Sequence, residues 1–317
     1  MVSTKSIYIY GSGGHGKVVG EIARLNGYEN IIFLDDKKGL KFSKNLAKFD
    51  IIIAVGDNKI RAKLQEKVLN LGFNVVSLIH PKAVISKSAV INQGVVVMAG
   101  AIINPDVIIE DGVIINSAAV IEHDCVIKKF AHISPNSALA GGVVVEEFCH
   151  LGIGSSVIQN IKIGKNSVVG AGAVVINNIP SNSVAVGVPA KVIKNLKLKS
   201  LLDKESIFIY YESWEFDCCG KSFSVRDKID WSVDLDIELK IDKFNIELYY
   251  DGHCRSISPY SLVGIVKSIN KLYKDDNGNR LIKCCINTNG FEENYKDYRF
   301  FGYIVEIENF TLKECKE

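Results

Sequence analysis

Three of the chain's six histidines, His123, His132 and His150, stand near one another, and the first is followed directly by Asp124. An imidazole beside a carboxylate suits general-base chemistry, because the acid fixes the ring tautomer and raises its basicity. Neighbours on a strand face opposite ways, so Asp124 must act from a corner or from an adjacent turn of chain. Three imidazoles also suit zinc. Spacings of 9 and 18 residues, however, lack the close histidine pair such a site uses, and no metal is expected. No sequence motif pairs a serine or cysteine with a histidine as an acyl-enzyme requires, so none is expected. General-base chemistry, with His123 as base, is what this set supports.

A second set lies near the start. An apolar run over residues 6–10 enters Gly11-Ser12-Gly13-Gly14-His15-Gly16-Lys17, and Asp35-Asp36 follow about twenty positions on. Short apolar strands are predicted at 6–11, 31–34, 50–55 and 73–79, with helices at 18–25 and 59–71. This alternation predicts a small parallel α/β, Rossmann-like domain over residues 1–80. Only one βαβαβ half is present, which argues against a dinucleotide oxidoreductase. A nucleotide held by the glycine turn needs only backbone N–H groups and a helix dipole. Asp35 or Asp36 then takes a ribose hydroxyl or a base N–H, or else the two acids merely close the strand. His80-Pro81 reads as a structural hinge.

What positions the histidines is a sixfold beat. From Ala83 to Asn178 the chain divides into hexads without remainder, and the third place of all sixteen is Ile, Leu or Val, from Ile85 to Val175. The first place is mostly small or β-branched. This is a hexapeptide β-helix repeat: each hexad is a strand plus a corner, and three hexads make one coil of a triangular prism. Sixteen hexads give five coils and one over. His132 and His150 share the second place, one coil apart on one face, and His123 holds a fifth place. Cys125, in a first place, fills a corner. After the run VGVPAK a short basic helix is expected, carrying Lys191, Lys194, Lys197 and Lys199.

Composition bounds the class. With 23% charged and 47% hydrophobic residues the chain is ordinary globular protein. It shows neither a signal-peptide layout nor an apolar run long enough to span a bilayer, so a cytoplasmic protein with reduced cysteines is expected. Residues 1–199 hold 22 Lys and Arg against 14 Asp and Glu, and the remainder holds 16 against 22. The basic front suits phosphorylated small ligands and is too diffuse for nucleic acid.

Together the turn GSGGHGK, the strand ending in Asp35-Asp36, the hexads with VIEHDC, and the closing VGVPAK resemble the sugar O- and N-acetyltransferases of bacterial glycan synthesis. The nearest resemblance, over about residues 5–194, is to the UDP-4-amino-sugar N-acetyltransferases that complete UDP-N,N'-diacetylbacillosamine. The resemblance implies a left-handed β-helix over residues 81–199 with a basic tail, acetyl-CoA as co-substrate, and a nucleotide-linked amino sugar as acceptor. It also implies a homotrimer with active sites at the subunit interfaces. It makes His123 the general base and Asp124 the acid that orients it, where many relatives carry Glu. It puts His132, Ile153 and Ala171 (often Gly in relatives) at acetyl-CoA and Asn116 near the sugar's acetamido group. It also puts Gly13, Gly14, His15, Asp35, Asp36 and Gly56 around UDP. Two other readings stand beside it: an O- or N-acetyltransferase acting on sialic acid or on a GDP- or CDP-sugar, and a non-catalytic β-helical scaffold.

Residues 200–317 have no place in that family. Six short β-branched and aromatic stretches there predict a small antiparallel β domain. The run WEFDCCGKSF resembles an uncharacterised bacterial domain, and its partner is unassigned. Cys218-Cys219, His253-Cys254 and Cys284-Cys285 lack CxxC spacing, so a metal is not expected there either.

Overall fold

Apolar strands, a glycine turn and an amphipathic helix open the chain. In the computed structural model β1 (Ser6–Tyr10) leads through that turn into α1 (Gly14–Leu25), followed by β2 (Asn30–Leu34), β3 (Asp50–Ile53), α2 (Asn58–Asn70), β4 (Asn74–Val75) and β5 (Leu78–Ile79). The structure describes residues 5–196, 205–212, 223–234, 239–241, 244–246, 248–250, 260–274, 280–285 and 299–314. These fall into two units, Met1–Leu196 and Lys197–Glu317. The first sheet is parallel, in the order β2-β1-β3-β4, as the strand–helix alternation predicts. The stretch 73–79 is two strands rather than one: β4 closes the first sheet, whereas β5 pairs with the prism. Among the described residues no helix is long and apolar enough to cross a membrane.

The sixteen hexads supply sixteen two-residue strands, β6 (Val84–Ile85) to β21 (Val174–Val175), at their second and third places. With β5 before them and β22 (Ser183–Val186) after them they stack as three parallel ladders. Eighteen strands make six coils, one fewer hexad than six coils require having been visible at each end. The histidine face carries β5, β8, β11, β14, β17, β20 and β22; the second face β6, β9, β12, β15, β18 and β21; the third β7, β10, β13, β16 and β19. Third-place residues from Val97 to Val175 are almost wholly buried, and first-place residues such as Ala101, Cys125 and Cys149 join them in one core. Each fully buried aliphatic contributes roughly 1.5–3 kcal/mol before its entropic cost. Every sixth place from Gly94 to Gly172 has positive φ, which turns the corner. Gly, Asn and Asp tolerate that conformation, but Ala118, Phe130 and Phe148 adopt it as well.

After the last coil, β23 (Lys191–Asn195) returns antiparallel on β22. The expected basic helix is therefore a strand over these residues, with Lys191 and Lys194 on it, and Lys197 and Lys199 lie outside the described residues. The edge of β22 offers unpaired backbone groups, and satisfying them outweighs the weak helical signal of a short run.

The N-terminal domain does not stand apart. Val96, Met98 and Ile114 of the histidine face belong to the same apolar cluster as Ile7, Val19, Ile22 and Ile52, so α1 and its sheet pack on that face.

In the second unit, β24 (Ser206–Glu212), β25 (Lys228–Asp234), β26 (Leu239–Ile241), β27 (Phe244–Ile246), β28 (Leu248–Tyr250), β29 (Tyr260–Lys274), β30 (Arg280–Cys285) and β31 (Arg299–Glu314) form a six-stranded sheet and a separate hairpin. Pairing is antiparallel except between β24 and β28. Ile207, Val233, Leu262, Tyr303 and Val305 form its core, with Phe223 edge-on to Trp231 at 4.9 Å. Cys218, Cys219, His253 and Cys254 lie outside the described residues. Cys284 and Cys285 lie on β30, and their side chains are outside the description.

Candidate active site

β12 (Val120–Ile121) ends on the edge between the second and third faces, and the corner after it carries Glu122, His123 and Asp124. Asp124 has φ 60°. This left-handed corner turns its carboxylate to the same side as the imidazole, which a continuing strand would not do. His123 Nδ1 lies 2.7 Å from Asp124 Oδ2. The carboxylate thus accepts the Nδ1–H hydrogen bond, and Nε2 keeps its lone pair free for a base's work. Both side chains are open to solvent, 62% and 64% exposed. The hydrogen bond to Asp124 raises the His123 pKa most, desolvation opposes it, and the charges of Asp124 and Glu122 add smaller rises. Glu122 is itself held by Asn104 at 2.8 Å, one coil below.

One coil on, Gly141 lies against the His123 ring. A Cβ there would meet ring atoms Cε1 and Nε2 at 2.6 and 2.7 Å. Cys125, two residues from the base, is buried; its Sγ donates to the Ala140 carbonyl at 3.2 Å, and burial pushes the thiol up to about 11. It is no nucleophile at neutral pH.

On the histidine face, β11 (Ile114–Ile115), β14 (His132–Ile133) and β17 (His150–Leu151) pair in register. His132 and His150 stack with ring centroids 4.7 Å apart and planes within 4°. Asn116 Oδ1 accepts the Ser117 N–H at 2.8 Å, which fixes the amide's orientation. Its NH₂ then donates to His132 Nε2 at 3.1 Å, so the neutral ring carries its proton on Nδ1. That Nδ1 is buried beside the Gly56 backbone without a normal partner. Burial, then the charges of His150, Arg61 and His15, lowers His132 to about 3. Burial and Arg61 lower His15 to about 4, and they also lower His150, whose Nε2 meets Ser134 Oγ at 2.9 Å.

The glycine turn faces the same region. Gly16 has no room for a side chain against the Gly11 carbonyl, whereas Gly13 and Gly14 have open space around them. α1 has Gly13 as N-cap and no capping side chain, so its first N–H groups stay available. α2, by contrast, is capped by Asp57, whose carboxylate accepts from Ile60 N at 2.8 Å. Of the two helix starts only α1 is open to an anion. Asp35 accepts from Ser12 Oγ and from the backbone N–H groups of Lys37 and Lys38, which hold its carboxyl down at about 2; Ser12 contributes most. Asp36 accepts from Tyr10 OH at 2.7 Å. Both acids thus close the end of β2, and Asp35 ties that end to the glycine turn. His80 Nδ1 accepts the Lys82 N–H at 3.0 Å, a turn contact.

Ile153 and Ala171 lie one coil apart on the edge between the histidine and second faces, and Gly172 N donates to the Ile153 carbonyl at 2.8 Å. Ile153 is exposed. Within one chain this edge and the His123 edge are different edges of the prism. Among the described residues no group of three His, Cys, Asp or Glu is placed to hold a metal ion.

Sequence reasoning missed the polar face of α2: Asn58, Arg61 and Gln65. Arg61 is 1% exposed and Gln65 2%. The available signal was a polar stripe at i, i+3 and i+7 where a packed helix ordinarily carries apolar residues.

Comparison with known proteins divides the chain at the same place. Residues 6–68 match the family described as the PglD N-terminal domain, and residues 205–309 match a family of unknown function, DUF6578. A curated relative, UDP-N-acetylbacillosamine N-acetyltransferase of Bacillus subtilis (strain 168), is 40% identical, the match covering 30% of this chain and 52% of that protein. The chain thus spans about half the length of the curated relative it matches. Two solved structures are covered far more fully. The acetyltransferase domain of PglB from Neisseria gonorrhoeae FA1090, in complex with acetyl coenzyme A, is 40% identical with TM-score 0.58, covering 60% of this chain and 100% of that one. PerB from Caulobacter crescentus, in complex with CoA and GDP-perosamine, is 41% identical with TM-score 0.56, covering 60% and 97%. With the glycine turn, the prism and the His–Asp corner in place, the chain belongs to the hexapeptide-repeat, acetyl-CoA-dependent N-acetyltransferases of nucleotide-linked amino sugars, with a further β unit appended.

Proposed function

We propose that this chain transfers the acetyl group of acetyl-CoA to the C4 amine of a UDP-linked amino sugar of the UDP-N,N'-diacetylbacillosamine type. The observation that carries the proposal is the His123–Asp124 pair, at 2.7 Å on an open corner. Nδ1 is committed to the carboxylate, so Nε2 takes a proton from the amine as its nitrogen attacks the thioester carbonyl. The C–N bond forms, the C–S bond breaks, and the thiolate recovers a proton from the imidazolium or from water. Nothing covalent passes through the protein, and the buried, protonated Cys125 agrees with that.

Gly13, Gly14, His15, Asp35, Asp36 and Gly56 surround the nucleotide. The uncapped N-terminus of α1 supports this, because its N–H groups suit a diphosphate. Asn116 and His132 lie on the face beneath that domain. His132, Ile153 and Ala171 are assigned to acetyl-CoA. Ile153 and Ala171 occupy a different edge from His123, so one acetyl-CoA meets both sets when two copies contribute. This supports a homotrimer with a site in each groove. A GDP-linked amino sugar is the second reading, favoured by the 41% identity to the perosamine enzyme.

The test is acetyl-CoA-dependent thiol release against UDP-, GDP- and CDP-linked 4-amino sugars and free sialic acid. His123→Ala is expected to lose about 10²–10⁴-fold in kcat with its oligomer intact. Near-wild-type turnover in that variant removes His123 as the base. Silence across the panel, with no binding of CoA, favours the scaffold reading.

A further inference from the structure

We propose that Asn58, Arg61 and Gln65 are a register pin that fixes the nucleotide domain to the one coil carrying His123, with Arg61 as the positioning residue at its centre. The inference rests on the reading of the site given above.

Arg61 Nε donates to the Gly112 carbonyl at 2.7 Å and Nη2 to the Phe130 carbonyl at 2.8 Å. Gly112 and Phe130 are successive sixth places on the edge between the third and histidine faces. They bracket a single coil, residues 113–130, which holds Asn116, His123 and Asp124. Nη1 turns back to the Val55 and Gly56 carbonyls at 3.0 and 3.1 Å, and Nη2 also meets Asn58 Oδ1 at 2.8 Å. All five N–H donors are therefore used, shared between the β3–α2 turn and the prism. Asn58 Nδ2 takes the next corner up, donating to the Phe148 and Cys149 carbonyls at 2.9 and 3.0 Å. Gln65 takes the corner below, its amide packed on Gly94. Three residues on one face of α2 thus meet four successive corners of one edge, Gly94, Gly112, Phe130 and Phe148.

Such a helix has a register problem. The corners repeat with each coil, about 4.8 Å apart, and present similar backbone. An apolar docking face would fit one coil nearly as well as the next. The guanidinium does not, because it needs the carbonyls of two successive corners and the Gly56 turn together. Phe130 and Phe148 hold left-handed corners despite the cost of that conformation, and their rings stack at 5.8 Å along the docking edge. The same edge has Gly112 below Phe130, where a side chain would collide with the Phe130 ring. The edge is irregular where α2 reads it, and that irregularity distinguishes one coil from its neighbours.

The consequence for the reaction is axial. The nucleotide pocket and His123 sit on different parts of the prism, but the height at which the pocket presents the sugar amine is set by the coil to which α2 is pinned. A displacement of about 1 Å at a reacting centre costs on the order of 10²-fold in rate.

The test uses the full chain and the nucleotide sugar it acetylates, with Arg61→Lys, which keeps the charge but not the fork, and Asn58→Ala, which leaves the guanidinium's carbonyl bonds in place. Four quantities are read: kcat, KM for acetyl-CoA, Kd for the free nucleoside diphosphate by calorimetry, and Tm. Arg61→Lys is expected to lower kcat about 10–100-fold, and Asn58→Ala by less, while the Kd and the acetyl-CoA KM stay within about twofold. Unchanged kcat in both variants overturns the inference. So does a parallel loss of kcat, nucleotide affinity and Tm, which is what a merely structural residue would produce. If Arg61→Lys does not fold, the same split in Asn58→Ala decides the matter. A wild-type chain that binds no nucleoside diphosphate and acetylates no nucleotide sugar removes the functional reading itself, a result separable from either of these.

Discussion

Gly141 is the residue at which a single added methyl group is expected to cost the most catalysis for the least stability. A Cβ built on it lies 2.6 Å from Cε1 and 2.7 Å from Nε2 of His123, where ordinary contact is 3.4–4 Å. The ring must therefore recede by about 1 Å, and because Nε2 is among the atoms displaced, the shift falls on the atom that takes the proton. Gly141 is not among the glycines with positive φ, so alanine adds no backbone strain. His123 is exposed, so the ring has somewhere to go and the fold need not yield. Gly141→Ala is accordingly expected to lower kcat about 10²-fold at saturating substrates, with Tm unchanged. If the receding ring also leaves Asp124, its pKa falls, and the acid limb of the kcat profile moves to lower pH. The assay is thiol release across pH with both substrates saturating, beside a thermal melt. A variant within about threefold of wild type at every pH would falsify the claim that this corner holds the base in place.

Two further outcomes follow from the charges. Asp124→Asn weakens the hydrogen bond that most raises the His123 pKa and removes the Asp124 charge that adds to it; a base works deprotonated, so the acid limb of kcat should move to lower pH while the plateau falls. A limb that stays in place denies Asp124 its role. The second concerns stability. His132 and His15 titrate at about 3 and about 4 in the folded chain and near 6.5 unfolded, so between those values the unfolded chain binds more protons. Stability should be full above about pH 7 and fall as pH drops through 6.5 toward 4, by on the order of a few kcal/mol before allowance for coupling within the cluster. Melting temperature against pH reads this, and His132→Gln should flatten the slope; an equal slope in the variant would place the acid sensitivity elsewhere.

The prism was legible because its rule is local and repeated. A buried third place every six residues needs no knowledge of distant partners, and the eighteen-residue stacking of His132 on His150 follows from the period alone. The His–Asp corner was half legible. The residues were visible, but their convergence depends on the positive φ of Asp124, and an aspartate can also sit in extended chain. The docking of α2 was not legible from helical periodicity, because Arg61 and Gln65 are the residue types a pattern assigns to solvent, and what buries them is a set of carbonyls far away in sequence. The ends of the prism escaped for a related reason. Leu78–Ile79 and Ser183–Val186 complete coils through pairing rather than through hexad phase, and Lys191–Asn195 is drawn into a strand by the open edge beside it.

The three edges carry different loads, and this explains how one repetitive scaffold holds a bisubstrate site. Equal places recur every eighteen residues, so a demand made on one edge constrains one residue in eighteen and leaves the core rule untouched. The His123 edge spends its freedom on an open corner with Gly141 of the next coil against the base. The α2 edge spends it on two phenylalanines in costly backbone and on carbonyls aimed at Arg61. Both edges involve the same coil, residues 113–130. If the pin and the base are joined through that coil, then Gly141→Ala and Asn58→Ala should combine less than additively in kcat, since each acts by misplacing the same amine relative to the same nitrogen. Strict additivity would mean that the two edges act on separate coordinates of the reaction, and the axial argument for Arg61 would have to be given up.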